Sequence, residues 1–405
     1  MKHDFADEAY CRALRHLFHP GNGVMPPKLA GRSAEEKALG GMLEQLLAGA
    51  AADRDAILYG PRGNGKTVLL RKFEETCRAA GVSVVEVRPK LIKSHTDLAG
   101  LLLHHDDDAM AGLLEHAKPD EVRLGLPGIG GIGWKGLPQS EKDTLRARHL
   151  EGLLRVRCRQ TPLVVTVDEA HTLRPDMGRT LLNLSEALRK QGAPFLLALS
   201  GTPNLETRLE QMDASFWGRS RALPIGRLDE AATREALASP LGNLSITFET
   251  AALDKVTADS QYYPYFIQLW GKALCDALVQ ATQEQTITSA TVAKAAEAVN
   301  EQREGYYGQR YEELERRGLL APAGVLAATF KGRDQLHKAV LLRALTRDLG
   351  IDEQAGQDAL GALADLGYTW RAKFGEDDTE PGIPSLMTHV QVRLQASQEA
   401  LREQA

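Results

Sequence analysis

The sequence predicts an α/β fold: a parallel sheet covered by helices, then a helical segment, then a smaller domain of helices and ribbon. Three observations carry this expectation. Between residues 57 and 225, short and nearly continuous Val/Leu/Ile runs alternate with helical stretches. Residues 229–307 read as helix almost throughout. Residues 308–405 hold helical stretches followed by two short runs that read as extended. Strands that are apolar on both faces need cover on both, and an alternation of strand and helix supplies it when the strands run parallel.

Taken in order, residues 1–26 hold a short helix, Glu8 to Phe18, and a loop at His19-Pro20-Gly21-Asn22-Gly23. Residues 27–228 form the α/β core. It opens with an amphipathic helix over 33–49, with Ser33 as N-cap and Glu36 as its capping-box partner. Its strands are expected at Ile57–Tyr59, Val82–Val87, Leu163–Val167, Phe195–Leu199 and Ala222–Ile225. The helical unit over 229–307 comprises Glu230–Ala238, Thr250–Asp259, Tyr263–Thr282 and Ser289–Gly305. In 308–405, helices precede Tyr368–Phe374, an acidic loop and Leu386–Val390, and helices followed by a two-stranded ribbon predict a winged-helix-like domain. One segment interrupts the plan: residues 122–138 interleave six glycines with apolar side chains. It reads as a hairpin excursion, or, through Ile129, Ile132 and Trp134, as a loop that contacts a partner or subunit.

At 405 residues the chain has room for two or three domains, and 43% apolar with 25% charged residues is ordinary for a globular protein. A formal net charge of −5 argues against coating nucleic acid through bulk electrostatics, while leaving a local basic patch open. No apolar run reaches the roughly 18–20 residues of a membrane span. The segment Met1-Lys2-His3-Asp4-Phe5 lacks the apolar core of a signal peptide. Cys11, Cys77, Cys158 and Cys275 are scattered without a C-x-x-C pair, so the expectation is reduced thiols and a cytoplasmic location.

The chemistry begins at Gly60-Pro61-Arg62-Gly63-Asn64-Gly65-Lys66-Thr67, which lies between an expected strand and a helix opening at Thr67-Val68. This is the G-x-x-x-x-G-K-[ST] pattern. Its glycines let backbone N–H groups turn inward around a phosphate, and the helix N-terminus adds its positive dipole end. Lys66 reaches the outer phosphates and the Thr67 hydroxyl can hold Mg²⁺. The expected ligand is a nucleoside triphosphate, ATP with Mg²⁺.

A second element completes the site. The run Leu163–Val167 ends in Asp168-Glu169, at the C-terminal end of a parallel strand, where ligands bind in such sheets. Asp168 is expected to hold Mg²⁺ and Glu169 to polarise the attacking water. His171 reads as a polar residue at a helix start. The next strand ends in Ser200-Gly201-Thr202-Pro203-Asn204, whose hydroxyls at Ser200 and Thr202 would point at the γ-phosphate or the water. Arg219 and Arg221 precede the last strand, and a guanidinium supplied across a subunit contact stabilises charge on the γ-phosphate.

Together these features resemble the AAA+ ATPases, over about residues 27–300. They look closest to the branch of origin initiators, transposition-regulator ATPases and STAND signalling ATPases. The stretch Pro27-Lys28-Leu29-Ala30-Gly31-Arg32 is similar to the segment that packs on the adenine there, implying a binding role for Gly31 and Arg32. Gly60–Thr67 with Val68 resembles Walker A, Asp168-Glu169 resembles Walker B, Ser200–Asn204 sits where sensor 1 lies, and Ser220-Arg221 looks like the arginine finger. The lid differs: many relatives carry an arginine there, whereas Gln261-Tyr262-Tyr263-Pro264-Tyr265-Phe266-Ile267-Gln268 has none. It is similar instead to a proline-containing lid motif in which Pro264 touches the nucleotide. A helicase with Asp-Glu-Ala-His at 168–171 would need a second strand-rich lobe, which the helical stretch after 229 does not offer.

Two functions fit. In one, an ATPase that assembles as a homo-oligomer acts as a switch on a protein partner, as in mobile-element regulation or antiphage defence. In the other, the winged helix contacts DNA. The expected recognition helix, about Asp352–Leu366, carries Asp352, Glu353, Asp358 and Asp365 and no Lys or Arg. Residues 310–405 hold twelve Lys/Arg against fifteen Asp/Glu. Lys331, Arg333, Lys338, Arg343, Arg347, Arg371 and Lys373 lie around that helix. Readers of DNA place cations near phosphates, so the balance favours a protein partner.

Overall fold

The computed structural model describes residues 8–21, 23–103, 139–213, 215–281, 285–372 and 377–403. The glycine-rich segment 122–138, with Ile129, Ile132 and Trp134, lies outside them, as do Lys373 and Phe374. Five strands, β1 (Ala56–Tyr59), β2 (Ser83–Val87), β3 (Leu163–Val167), β4 (Phe195–Gly201) and β5 (Arg221–Pro224), form a parallel sheet in the order β2-β3-β4-β1-β5. Their near-continuous apolar sequence has a two-sided cause. Ile57, Val85, Val165 and Leu197 face the helices His95–Leu103, Gln139–Gln160 and Pro175–Lys190. Leu58, Val84, Val164 and Leu196 face Ser33–Leu47 and Lys66–Ala79 on the other side. Alternate residues thus serve opposite cores.

A helical unit follows, built from Glu230–Gly242, Thr250–Asp259, Pro264–Ala281 and Ser289–Arg316, with a small parallel pair β6 (Thr247–Phe248) and β7 (Thr286–Ile287). The N-terminal helix Glu8–Arg15 joins this unit, Tyr10 donating to the Leu244 carbonyl at 2.9 Å. The C-terminal part holds helices Leu320–Phe330, Lys338–Leu349 and Glu353–Asp365, then an antiparallel ribbon and the helix Leu386–Glu403. The ribbon strands are β8 (Leu336–His337), β9 (Thr369–Trp370) and β10 (Asp378–Pro381), in the order β8-β10-β9. One continuous core, including Leu14, Phe266, Val299, Leu326 and Val390, runs through the N-terminal helix, the helical unit and the C-terminal part.

Three expectations are corrected. The capping box at Ser33 and Glu36 does not form: Ser33 is the first helical residue, Arg32 stands in the cap position with no side-chain cap, and the helix ends at Leu47. The helix expected to stop at Gly305 continues to Arg316, so the division at 307/308 falls inside a single helix. Tyr307, Tyr311 and Leu314 continue its buried stripe, and that burial outweighs the cost of about 1 kcal/mol for each glycine within a helix. Finally, the second strand of the ribbon is the acidic Asp378–Pro381, whereas Leu386–Val390 opens the last helix. Leu386, Met387 and Val390 are buried there at helical spacing.

The four cysteines are free. Among the described residues, no helix is long and apolar enough to cross a membrane.

Candidate functional site

The register pairs Leu58 with Ser200 and Val167 with Leu199, so the segments leaving β1, β3 and β4 emerge side by side at one edge of the sheet. From β1 comes the loop Gly60–Thr67, with Gly60, Gly63 and Gly65 at φ of +151°, +82° and +88°. Side chains rarely adopt such angles. Gly63 also has no room for one, since a Cβ would stand 2.5 Å from the Tyr263 hydroxyl. That hydroxyl donates to the Arg62 carbonyl, seating the helical unit on the loop. Lys66 is buried, its Nζ donating to the carbonyls of Gly60 at 2.9 Å and Pro61 at 2.8 Å. Burial pulls its ammonium down to about 8, with Glu169 and Asp168 opposing that shift. Asn64 is buried with neither side-chain polar atom hydrogen-bonded. Buried polar atoms are normally paired, so this orphaned amide fits a polar ligand in the loop.

From β3 comes the acidic pair. Three donors converge on the Asp168 carboxylate: Thr67 Oγ1 at 2.8 Å, the Glu169 backbone N–H at 3.0 Å, and Ser200 Oγ. The Thr67 hydroxyl and an Asp168 oxygen thus stand together as the small oxygen set that suits Mg²⁺, which takes few protein ligands and keeps phosphate oxygens and water for the rest. Glu169 holds a left-handed backbone, φ +54°, fixed by Thr172, whose N–H and hydroxyl both donate to its carbonyl at 2.8 Å. Its side chain enters the cavity, with Oε2 3.4 Å from Nε2 of His171. Burial, opposed by Glu169, lowers the His171 pKa, so the imidazole is neutral at pH 7 and makes no full ion pair with Glu169.

The hydroxyl pair at the end of β4 divides. Ser200 meets Asp168, but Thr202 is turned away and donates to Asp365 Oδ1 at 2.8 Å. Asn204 Nδ2 and Arg208 Nη2 approach the other oxygen of Asp365 at 3.3 and 3.6 Å. The expectation that Thr202 faces the phosphate is thus corrected, because a C-terminal carboxylate takes its hydroxyl. Arg371 and Glu206 pair across the same junction.

The phosphate-loop residues and Glu169 border a cavity of about 500 Å³, whereas Asp168, Ser200 and Thr202 lie outside its lining. Arg62 through Val68 and Glu169 line one end; Val24, Pro26, Leu29, Leu228 and Pro264 supply an apolar wall elsewhere. Arg32 lines it too, but its Nη2 braces the loop by donating to the carbonyls of Asn64 and Gly226. Gly31 does not line it; a Cβ there would lie 2.6 Å from that of Ala232. Gly60 and Pro61 sit behind the lining and act through the carbonyls that hold Lys66. Arg219 and Arg221 also lie outside the cavity. Arg219 is bound to Glu186 at 2.9 Å and Asp213 at 2.7 Å. Arg221 is exposed, with no side-chain hydrogen bond or ion pair among the described residues. Sequence reasoning missed Tyr263, Tyr306, Arg310 and Asp365. The spacing of Tyr306, Arg310 and Glu313 along one helical stripe was the available signal for two of them.

Known proteins resemble this chain at the level of a family model and of the fold. Residues 28–199 match the family model described as AAA ATPase domain. The structure is similar to the Walker-type ATPase PABY2304 of Pyrococcus abyssi, with 15% identity and a TM-score of 0.56 over 93% of this chain and 99% of that one. It is similar also to the ORC2 protein of Aeropyrum pernix in its ADPNP–ADP complexes, with 16% identity and a TM-score of 0.52 over 96% and 98% of the two chains. No curated protein matches the sequence. The parallel sheet with its surrounding helices is the AAA+ fold.

Proposed function

We propose that this chain is an ATP- and Mg²⁺-binding switch of the AAA+ type that hydrolyses ATP slowly, assembles with its own copies when ATP is bound, and controls a protein partner in the cytoplasm. The observation that carries the nucleotide reading is the junction of Thr67, Ser200 and Asp168 beside a loop whose Asn64 side-chain amide has no hydrogen-bond partner. In this reading Lys66 and the loop N–H groups hold the phosphates, and Thr67 and Asp168 hold the metal. Bound Mg²⁺ would neutralise developing charge on the phosphates. Glu169 orients the attacking water, and Ser200 keeps Asp168 in place.

Arg221 is the better candidate to act across a subunit contact. It is free and exposed, whereas Arg219 would first have to leave two carboxylates.

The C-terminal part, read as winged-helix-like, supports the switch. Its helix Glu353–Asp365, the one expected to read DNA, presents Gln354, Gln357 and Asp358 to a cleft shared with Thr207, Arg208 and Gln211 of the core. An acidic helix turned toward the ATPase core favours control of a protein over reading of a duplex. Titration with a fluorescent ATP analogue in Mg²⁺ tests the nucleotide reading. Wild type should bind and Lys66→Ala should lose tight binding, whereas equal affinity for the two would remove the phosphate-loop assignment.

A further inference from the structure

We propose that the cleft between the ATPase core and the C-terminal part is the docking site for a short, extended, acidic segment of the controlled protein. This rests on the reading of the chain as a switch that acts on a protein partner. The cleft has a volume of about 560 Å³ and shares no lining residue with the nucleotide cavity.

Its floor is one face of the ribbon. Thr369 stands opposite Pro381 in the β9–β10 register, and alternation along each strand then places Thr369, Arg371 and Thr379 on the same side. All three line the cleft. Thr369 is 1% exposed and Thr379 4%, yet neither hydroxyl has a hydrogen-bond partner among the described residues. Buried hydroxyls are normally paired, so these two are open to the polar groups of a guest.

Two helices form the walls. Thr207, Arg208 and Gln211 come from Leu205–Met212 of the core, and Gln354, Gln357 and Asp358 from Glu353–Asp365. A carboxamide both donates and accepts, so Gln211, Gln354 and Gln357 suit the alternating N–H and C=O groups of an extended backbone. Charge then selects the guest's side chains. Arg208, Arg317, Lys338 and Arg371 line the cleft against two carboxylates, Asp358 and Asp365. Asp365 approaches Arg208, while Glu313 and Glu206 hold Arg317 and Arg371 from outside the lining. Lys338 is half-buried with no ion pair among the described residues, which leaves one ammonium to answer a carboxylate of the guest. One wall belongs to the core and the other to the C-terminal part, so a bound segment braces the two against each other.

The test selects short random peptides, displayed on phage, against the full-length protein. The enriched sequences, labelled with fluorescein, are then measured by anisotropy on wild type, Lys338→Glu, Thr379→Val, Gln211→Trp and Lys331→Glu. They should be rich in Asp and Glu. Lys338→Glu should weaken them on the order of tenfold or more, as for loss of a charge-assisted bond. Thr379→Val should weaken them about two- to tenfold, and Gln211→Trp should block them by filling the cleft. Lys331→Glu makes the same charge change at an exposed residue outside the lining and should leave binding unaltered. The decision rests on the variants that keep the wild-type unfolding midpoint. Failure to enrich any peptide, or enriched peptides that bind Lys338→Glu and Gln211→Trp as tightly as wild type, overturns the assignment and leaves the nucleotide reading standing. Tight binding of random duplex DNA that Lys338→Glu abolishes would instead remove the underlying reading of a protein partner.

Discussion

Replacing Asp365 with alanine is expected to loosen the C-terminal part from the sheet without unfolding either. The size of the effect follows from three contacts. The bond from the buried Thr202 hydroxyl, 2.8 Å long, ends on a carboxylate, and such a bond contributes about 1.5–3 kcal/mol. The contact from Asn204 is longer, 3.3 Å, and adds at most about 0.5–1 kcal/mol. Arg208, 47% exposed and 3.6 Å away, adds roughly 0–1 kcal/mol after solvent screening. The sum is about 2–5 kcal/mol, or an opening equilibrium raised roughly thirty- to several-thousand-fold. Hydrogen–deuterium exchange read by mass spectrometry reports this directly in peptides covering 205–212 and 353–370, with β3 as an internal reference. Thr202→Val should reproduce much of the change, and the double variant should show a coupling of about 1–2 kcal/mol. Unaltered exchange in those peptides, or equal acceleration in β3, would refute the idea that Asp365 fastens the two parts together.

Three further outcomes are expected. Glu169→Gln should keep Mg²⁺–ATP binding and slow phosphate release on the order of a hundredfold; turnover near wild type would place the base elsewhere. Arg221→Ala should retain nucleotide but lose hydrolysis, and mixing with Lys66→Ala subunits should restore part of it, because each copy supplies what the other lacks. Absence of rescue in a protein that still oligomerises would shift the role to Arg219 or to a single-chain mechanism. Finally, the full-length protein with a non-hydrolysable ATP analogue should bind random duplex DNA more weakly than about 10⁻⁶ M at physiological salt. Twelve cations against fifteen acids in residues 310–405 motivate this, and tight binding with a steep salt slope would turn the reading toward a DNA-contacting initiator.

What could be read from sequence was what is encoded locally. The glycines of the 60–67 loop take angles forced by its path, and Asp168 follows its strand directly, so spacing alone places them. Thr202 was not legible in the same way. A hydroxyl after β4 can turn toward the cavity or toward whatever packs on the other side, and its partner lies 163 residues downstream. The helix expected to stop at Gly305 runs on because Tyr307, Tyr311 and Leu314 are buried against distant elements. The same holds for Arg32, where a motif pointed to the base and the fold spends the guanidinium on two backbone carbonyls. Long-range pairing, which leaves no periodic trace, accounts for each of these differences.

The uninterrupted helix Ser289–Arg316 has a mechanical consequence. Twenty-eight residues make a rod about 42 Å long. Val292, Ala295 and Val299 pack its first half among the helices of the helical unit, and Tyr307, Tyr311 and Leu314 seat its second half in the same continuous core, where the C-terminal part joins it. With no joint between them, the two regions share one axle, and a pivot of ten degrees about the near end sweeps the far end through roughly 7 Å. The first residue beyond the rod with a left-handed backbone is Gly318, at φ +68°. Tyr306 and Arg310, which line the cavity, ride on the C-terminal half of the rod, so whatever reseats them there also displaces Arg316 and the chain that follows it.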